Sequence, residues 1–328
     1  MELKYPDEAY MRKEIAKLSK RIERVQQKYQ QAKNPDRKKT LAFLIEDIKN
    51  SIGWELLNCK DYEKALAVYQ SMSWEIYGEY KYRGISLALI KMEYYDEAKQ
   101  LLEKGLQRFP KSHFLLMRMG ILYRLQDCPV DALKYFKQAL KNCPGQRQAL
   151  HHKAEILSDL GYYEDSLSIV RKLIKEDPDH GAYFVEAGIC TQMMGYPEEA
   201  VEYYKKALDC GFLSSTIYGG LACAYMNMGF KHDALEIAQK GLKEFSDVPG
   251  MYEILCDCYL EYGWVDEARG ILEEGLKKFP DDEDLQEALQ RIEDETNDPD
   301  NNKKPPSLGI VLLLSLILKR IKKKKKEI

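Results

Sequence analysis

A short sequence pattern recurs along the chain at a nearly constant interval, and this recurrence restricts the possible folds more than any other feature. Each of the seven copies contains a turn, typically an aromatic residue, two polar residues and then a small residue, and successive copies lie 33 or 34 residues apart. The small residues are Ala65, Ala98, Ala132, Ser166, Ala200, Ala234 and Ala268. A fixed period of this length is typical of repeat proteins, in which each unit packs mainly against its neighbours.

The third unit, residues 113–146, shows how one repeat is built. Its first half places apolar or small residues at helical spacing, and its second half does so again after a break at Pro129. Proline is tolerated in the first turn of a helix because its missing N–H would have no partner there. Gly120 and Ala132 are expected to be small because two helices cross closely at these positions. The pattern therefore predicts a pair of antiparallel helices in each unit, with a core completed by the neighbouring pairs.

The repeated unit resembles the tetratricopeptide repeat. The third unit matches the pattern of that family at Leu116, Gly120, Tyr123, Ala132, Phe136, Ala139 and Pro144. The sixth unit departs from it, with Ala222 where the family has Gly and Ser246 where it has Pro. The resemblance implies an all-α fold, a right-handed superhelical solenoid of antiparallel helix pairs, in which seven tandem repeats place their first helices along a concave groove.

The chain is predicted to contain five segments. These are an N-terminal amphipathic helix (residues 1–33), seven helix pairs like tetratricopeptide repeats (34–281), a capping helix (282–296), a polar linker (297–307) and a hydrophobic and polybasic tail (308–328). From Met11 to Tyr29, apolar residues follow at steps of four and three, which is the seam of a short coiled coil. Because so short a coil is marginal by itself, a helix that caps the first repeat is favoured, and a weak homodimer is the alternative.

The tail joins an apolar run to a basic one. Leu308–Leu318 contains no charged residue, and the sequence KRIKKKKKEI follows it. As a helix this run would be roughly 17 Å long, against about 30 Å of membrane hydrocarbon. An apolar stretch beside a polybasic patch supplies the two signals that stable anchoring needs, so we predict association with an anionic membrane. The candidate residues are Leu312, Leu316, Lys322, Lys323, Lys324, Lys325 and Lys326. A disordered tail, or a helix that docks on the repeats or on a second protein, is the alternative.

Charge and cysteine content restrict the partners and the compartment. The chain has 50 Lys and Arg against 53 Asp and Glu, a formal net charge of −3, which excludes a globally basic nucleic-acid-binding protein. The N-terminus lacks the apolar core of a signal peptide, and the eight cysteines show no paired spacing, which is typical of reduced thiols. We therefore predict a cytoplasmic protein that reaches a membrane only through its C-terminus.

No sequence motif of an enzyme active site is present. The chain lacks the P-loop, GxGxxG, GxSxG and HExxH patterns. Cys256 and Cys258 are two residues apart, so on a helix they point in different directions and cannot hold one metal ion. His151 and His152 are adjacent rather than one helical turn apart. We therefore predict a protein without catalytic activity, cofactor or metal.

Alignment of the repeats identifies the positions that should face the groove. The candidate partner-binding residues are Asn50, Arg83, Lys91, Met117, Arg118, Arg124, His151, His152, Glu155, Glu186 and Asp257. The groove should be basic towards the N-terminus and acidic towards the C-terminus. Solvated charge on exposed helix faces is the alternative explanation of the same residues.

One comparison within the family narrows the choice of partner. Tetratricopeptide repeats that clamp chaperone C-termini use a Lys and an Asn in one repeat, an Asn in the next, and a Lys and an Arg in the third. The corresponding residues here are Asn50, Trp54, Gly84, Phe114 and Arg118. Only Arg118 matches, so binding of chaperone tails by that clamp is disfavoured.

The leading hypothesis is a non-catalytic scaffold or adaptor that binds a peptide or helix of a partner protein in its concave groove and associates with a membrane through its tail. The alternative is a soluble regulatory or sensor module that binds a signalling peptide and dimerises through its N-terminal helix. An enzyme would need a reaction centre that the sequence does not show.

Overall fold

The structure is a computed structural model, and it describes residues 8–297. Within this range the chain forms sixteen α-helices and no β-strand. The helices are α1 (Glu8–Gln31), α2 (Pro35–Asn58), α3 (Tyr62–Gln70), α4 (Trp74–Lys91), α5 (Tyr95–Arg108), α6 (His113–Leu125), α7 (Pro129–Asn142), α8 (Arg147–Asp159), α9 (Tyr163–Glu176), α10 (Gly181–Met193), α11 (Pro197–Asp209), α12 (Ser215–Asn227), α13 (Lys231–Glu244), α14 (Pro249–Tyr262), α15 (Val265–Lys278) and α16 (Glu283–Asn297).

The helices from α2 to α15 follow one another as pairs joined by short turns, which confirms the predicted all-α solenoid of antiparallel helix pairs. The first pair differs from the others, because α2 has 24 residues and α3 only nine. In the third pair, by comparison, the two helices have 13 and 14 residues. Terminal units of solenoids are often atypical, and the number of tetratricopeptide repeats therefore stays a prediction.

The described residues form two compact units, residues 8–153 and residues 154–297. In the first unit each helix from α1 to α7 packs against the next one along the chain, and the first helices of successive pairs also touch, α2 with α4 and α4 with α6. The core is built from apolar side chains of these helices, among them Ile48, Leu102, Leu115 and Met119, all of them almost completely buried.

The helix α1 packs its apolar seam inside this unit. Val25 is buried, and Ile15, Leu18, Ile22 and Tyr29 pack against the same cluster as the apolar residues of α2. The seam that could have formed a dimeric coiled coil is thus used within the chain. This arrangement favours the capping role for α1 over the alternative of a homodimer.

Glycines of first helices meet aromatic residues of second helices at the crossing points. A Cβ atom on Gly120 would lie 2.7 Å from the Phe136 ring, and one on Gly188 would lie 2.7 Å from the Tyr204 ring. Such distances are shorter than real Cβ contacts, so any larger residue would push the paired helices apart. The sequence predicted a close approach at Gly120, and the structure shows that the partner is the aromatic ring four residues after Ala132.

In the second unit, residues 154–297, each helix from α9 to α16 again packs against the next. The first helices α10, α12, α14 and α16 also contact one another in that order. α16 buries Leu285, Ala288 and Ile292 against α14 and α15. Its opposite face carries acidic residues, which suits the solvent-exposed end of a solenoid.

No helix within residues 8–297 combines the length and the apolar character needed to cross a membrane. The predicted membrane-associated residues, Leu312, Leu316 and Lys322 to Lys326, lie outside the described part of the chain.

Candidate partner-binding pockets

Each unit contains a well-formed pocket that its first helices line. The pocket of residues 8–153 lies between α2 and α4 and has a volume of about 250 Å³. We call it the arginine pocket; its lining residues are Asn50, Ser51, Trp54, Glu55, Leu57, Tyr69, Tyr80, Arg83, Gly84 and Leu87. Two of the predicted groove residues, Asn50 and Arg83, are among them.

Arg83 lies between two aromatic rings. Its guanidinium carbon is 4.5 Å from the centre of the Phe114 ring and 5.7 Å from the centre of the Trp54 indole. A cation within about 6 Å of a ring centre is attracted by the negative face of the ring. The contacts hold the guanidinium in place, but the rings supply no carboxylate that would neutralise it.

Arg118 on α6 lies beside this pocket, close to both Arg83 and Tyr69. Burial, and then the positive charge of Arg83, lower the pKa of Arg118 to about 10. Within residues 8–297, no carboxylate lies within ion-pair distance of either guanidinium, and Arg118 has no hydrogen-bond acceptor there. Two neighbouring cations that are partly desolvated and lack a counter-ion are costly for the folded state. An anion from outside the chain would relieve that cost.

Gly84 and Tyr69 explain why this pocket differs from the chaperone-binding clamp. Gly84 stands where that clamp has an Asn, and a Cβ atom at this position would lie 2.3 Å from the buried ring of Tyr69. The Asn cannot fit while Tyr69 fills the crossing. Arg118 of the clamp pattern is therefore kept beside the pocket, whereas aromatic surface, including Trp54, takes the place of the clamp's amides.

The other predicted groove residues of this unit differ in how exposed their side chains are. Met117 is only 3% exposed, so its side chain belongs to the core, and the expectation that it contacts a partner is corrected. Lys91 is exposed at the end of α4, and Arg124 and His151 are half-buried. The ring of His152 lies 5.4 Å from that of Phe136, so this histidine packs on the aromatic residue of its repeat.

The pocket of residues 154–297 has a different character. It has a volume of about 230 Å³ and lies against α10, α12 and α14. We call it the acidic pocket; its lining residues are Ser158, Asp159, Glu186, Ile189, Tyr204, Ser215, Thr216, Gly219, Gly220, Val248, Gly250, Met251 and Ile254. Ile189, Tyr204 and Ile254 give it an apolar wall, and Asp159 and Glu186 add carboxylates.

Carboxylates act on two buried thiols near the acidic pocket. Burial, and then the charge of Glu186, raise the pKa of Cys190 to about 12. Burial, and then the charge of Asp257, raise the pKa of Cys223 to about 12. Of the three acidic candidates, Glu186 lines the pocket, whereas Asp257 is 6% exposed and Glu155 is half-buried, and neither lines it.

The sequence predictions missed most of the acidic pocket. Ile189, Thr216 and Ile254 were not among the candidates, because apolar and small residues in a repeat are normally assigned to its core. The adjacent glycines Gly219 and Gly220 were the available signal, since glycine is unfavourable inside a helix and marks a close approach. No group of His, Cys, Asp or Glu that could hold a metal ion occurs within residues 8–297.

Comparisons with known proteins agree with the repeat fold of the chain. Family models described as tetratricopeptide repeat match residues 84–112, 148–180 and 232–292. The curated proteins contain no match to the chain.

Three solved structures illustrate the similarity of fold. A chain of the APC/C hetero-tetramer Cut9–Hcn1 superposes with a TM-score of 0.65 at 12% identity, over 75% of this chain and 49% of that one. A tetratricopeptide repeat protein from Parabacteroides merdae gives a TM-score of 0.60 at 15% identity, over 76% and 98% of the two chains. A thermophilic TPR protein of Thermus thermophilus gives 0.50 at 21% identity, over 55% and 98%. Similarity at these identities shows the fold alone.

Proposed function

Because the chain is a tetratricopeptide repeat protein, we propose that it is a non-catalytic scaffold that binds an acidic segment of a partner protein at the arginine pocket. The observation that carries this proposal is the pairing of Arg83 with Arg118, two neighbouring guanidinium groups without a carboxylate in ion-pair distance within residues 8–297. The repeat fold itself supports the coarser statement, a protein-interaction scaffold.

The chemistry of the pocket favours a carboxylate on a peptide over a small anion. Arginine binds carboxylates through two parallel hydrogen bonds, which are stronger than hydrogen bonds between neutral groups. Trp54 is 41% exposed and Tyr80 is 43% exposed, so large aromatic surfaces remain open beside the guanidinium of Arg83. Arginine, tryptophan and tyrosine are the residues that most often dominate binding energy in protein interfaces. A partner segment with an Asp or Glu next to an apolar residue would contact both the guanidinium and the aromatic surface.

The test is a binding measurement with a defined probe. Fluorescent peptides containing a Leu beside two Glu residues, and matched peptides with Gln in place of Glu, are titrated with the full chain and followed by anisotropy. Arg118→Met should weaken binding of the Glu peptides at least tenfold, because a hydrogen bond to a charged group contributes about 1.5–3 kcal/mol. Lys104→Met on α5 removes an exposed charge from the same unit and is the control. Equal binding of Glu and Gln peptides would contradict the proposal.

We also propose that the tail, residues 308–328, attaches the scaffold to an anionic membrane. The support is the sequence itself, an apolar run followed by a basic cluster. The alternative function, a regulatory module that dimerises through its N-terminal helix, is less favoured because α1 packs its seam within the chain.

A further inference from the structure

The second unit and the tail carry opposite charges. Residues 154–297 contain 31 Asp and Glu against 12 Lys and Arg, a formal charge of −19. Residues 298–328 contain nine Lys and Arg against three Asp and Glu, a formal charge of +6. The two segments are covalently joined at the end of α16, so their attraction acts at a high effective concentration.

The acidic pocket and the tail also match in their apolar parts. The pocket combines the apolar side chains of Ile189, Met251 and Ile254 with the carboxylates of Asp159 and Glu186. Its volume of about 230 Å³ is below the roughly 300–1,000 Å³ of pockets for drug-sized ligands. It therefore suits aliphatic side chains of a polypeptide. The apolar run Leu308–Leu318 offers such side chains, and the basic residues follow it directly.

We propose that the acidic pocket binds the apolar run of this chain's own tail, with Lys322–Lys326 along the acidic surface of residues 154–297. Aliphatic side chains of the run fill the pocket, and the lysines supply the counter-charge that this unit lacks. The tail cannot occupy the pocket and a membrane at the same time. The pocket is thus a second binding site for the segment that we propose to attach to membranes.

The connecting segment is long enough for this contact. α16 has 15 residues and is about 22 Å long. It packs on α14, which packs on α12, and the axes of packed helices lie about 8–10 Å apart, so the pocket lies roughly 30 Å from the end of α16. An extended chain spans about 3.3 Å per residue. The 15 residues from 298 to 312 therefore reach up to about 50 Å, well beyond that distance.

The proposal is tested by photo-crosslinking in the full chain without lipid, so that the outcome is independent of membrane binding and of the arginine pocket. The photoreactive residue benzoylphenylalanine replaces Leu312, the protein is irradiated at low micromolar concentration, and crosslinked peptides are identified by mass spectrometry. We expect adducts of monomer mass between the tail and the helices α10, α12 or α14. Raising the salt concentration to 1 M should lower the yield without abolishing it, because only the lysine part is screened.

A pocket-filling variant with its matched control decides whether the pocket itself is occupied, and a lysine variant tests the charged part. Thr216→Trp fills the pocket from the first turn of α12 and should reduce the crosslink yield at least fivefold, whereas Asn227→Trp, at the exposed end of the same helix, should not. Replacing Lys322–Lys326 with Gln changes none of the described residues and should reduce the yield at low salt. Adducts outside residues 154–297, adducts only of dimer mass, or a yield that Thr216→Trp does not change would each overturn the proposal.

Discussion

Arg83 lies close enough to Arg118 for its positive charge to lower the pKa of Arg118, in addition to the larger effect of burial. The two arginines come from the first helices of successive pairs, α4 and α6, which are in contact. Stability alone does not explain this arrangement, because like charges in a partly desolvated place oppose folding. The proposed site for an anion of a partner protein would account for it.

Removal of the charge of Arg118 should therefore leave the fold as stable as before or make it more stable. For Arg118→Met, which keeps most of the side-chain volume, we expect the free energy of unfolding to stay unchanged or rise by about 1–2 kcal/mol. Urea denaturation at pH 7 measures it, with Lys104→Met as the exposed control, expected within about ±0.5 kcal/mol of the wild type. A loss of more than about 1 kcal/mol for Arg118→Met would indicate a structural role and remove the basis for an anion site.

The fold was predictable from the sequence because every repeat carries the same information. Ala132 is completely buried, as its small size in the repeat pattern predicted, and its equivalents Ala98 and Ala200 are buried too. The pockets were less predictable, because they form between repeats and depend on which side chains point away from the core. Met117 was expected at the partner-binding surface and lies in the core, whereas Thr216 was not singled out and lines a pocket.

The turns inside the helix pairs differ between the two halves of the chain. Lys60, Glu93 and Asp127 adopt positive φ angles of 57–65° in the first three pairs. Glycine takes the equivalent positions in the later ones, with φ of 85° at both Gly161 and Gly195. A left-handed conformation costs a non-glycine residue about 1–2 kcal/mol. Glycine avoids this cost, but it loses more conformational entropy on folding, which offsets part of the gain.

Glu93→Gly should accordingly stabilise the protein by up to about 1 kcal/mol, measured by urea denaturation. Glu97→Gly, in the first turn of α5, makes the same chemical change at a helical position and should cost up to about 1 kcal/mol. Gly195→Ala should be destabilising as well, because alanine would have to adopt the left-handed conformation. Equal effects of Glu93→Gly and Glu97→Gly would show that residue 93 does not need positive φ.

Buried thiols should make the fold sensitive to alkaline pH. The pKa of Cys223 rises from 9.0 to about 12, first through burial and then through the charge of Asp257. Between pH 9 and pH 12 the thiol therefore ionises in the unfolded chain but stays protonated in the folded one, so its contribution to stability is present below pH 9 and is lost as the pH rises. The loss for one such group is up to about 1.4 kcal/mol per pH unit.

A comparison of the wild type with Cys223→Ala isolates this contribution. The variant should be less stable at pH 7.5, because it leaves a cavity at a site that is 1% exposed. Its deficit in the free energy of unfolding should then shrink between pH 9 and pH 10.5, since alanine has no proton to lose. Urea denaturation at each pH gives the two curves. A constant difference across this range would show that the thiol ionises equally in both states.

The tail should bind anionic vesicles through two separable contributions. Each lysine near such a surface contributes about 1 kcal/mol, which weakens as salt shortens the screening length, whereas the apolar run contributes a part that salt does not affect. Replacing Lys322–Lys326 with Gln should therefore weaken sedimentation with anionic vesicles and leave residual binding. Leu312→Asp combined with Leu316→Asp should release the protein, and Lys303→Gln combined with Lys304→Gln should have the smallest effect because these residues precede the apolar run.

The pocket-filling variant Thr216→Trp separates attachment to the vesicle from retention in the acidic pocket. If the tail exchanges between the two, the pocket-filling Thr216→Trp should increase the fraction of protein that sediments, because the competing site within the chain is lost. Asn227→Trp should leave that fraction unchanged. Wild-type protein that remains in the supernatant with vesicles of every charge, and with Thr216→Trp as well, would contradict membrane attachment. The apolar run would then have the acidic pocket as its one proposed site, which the crosslinking experiment tests without any lipid.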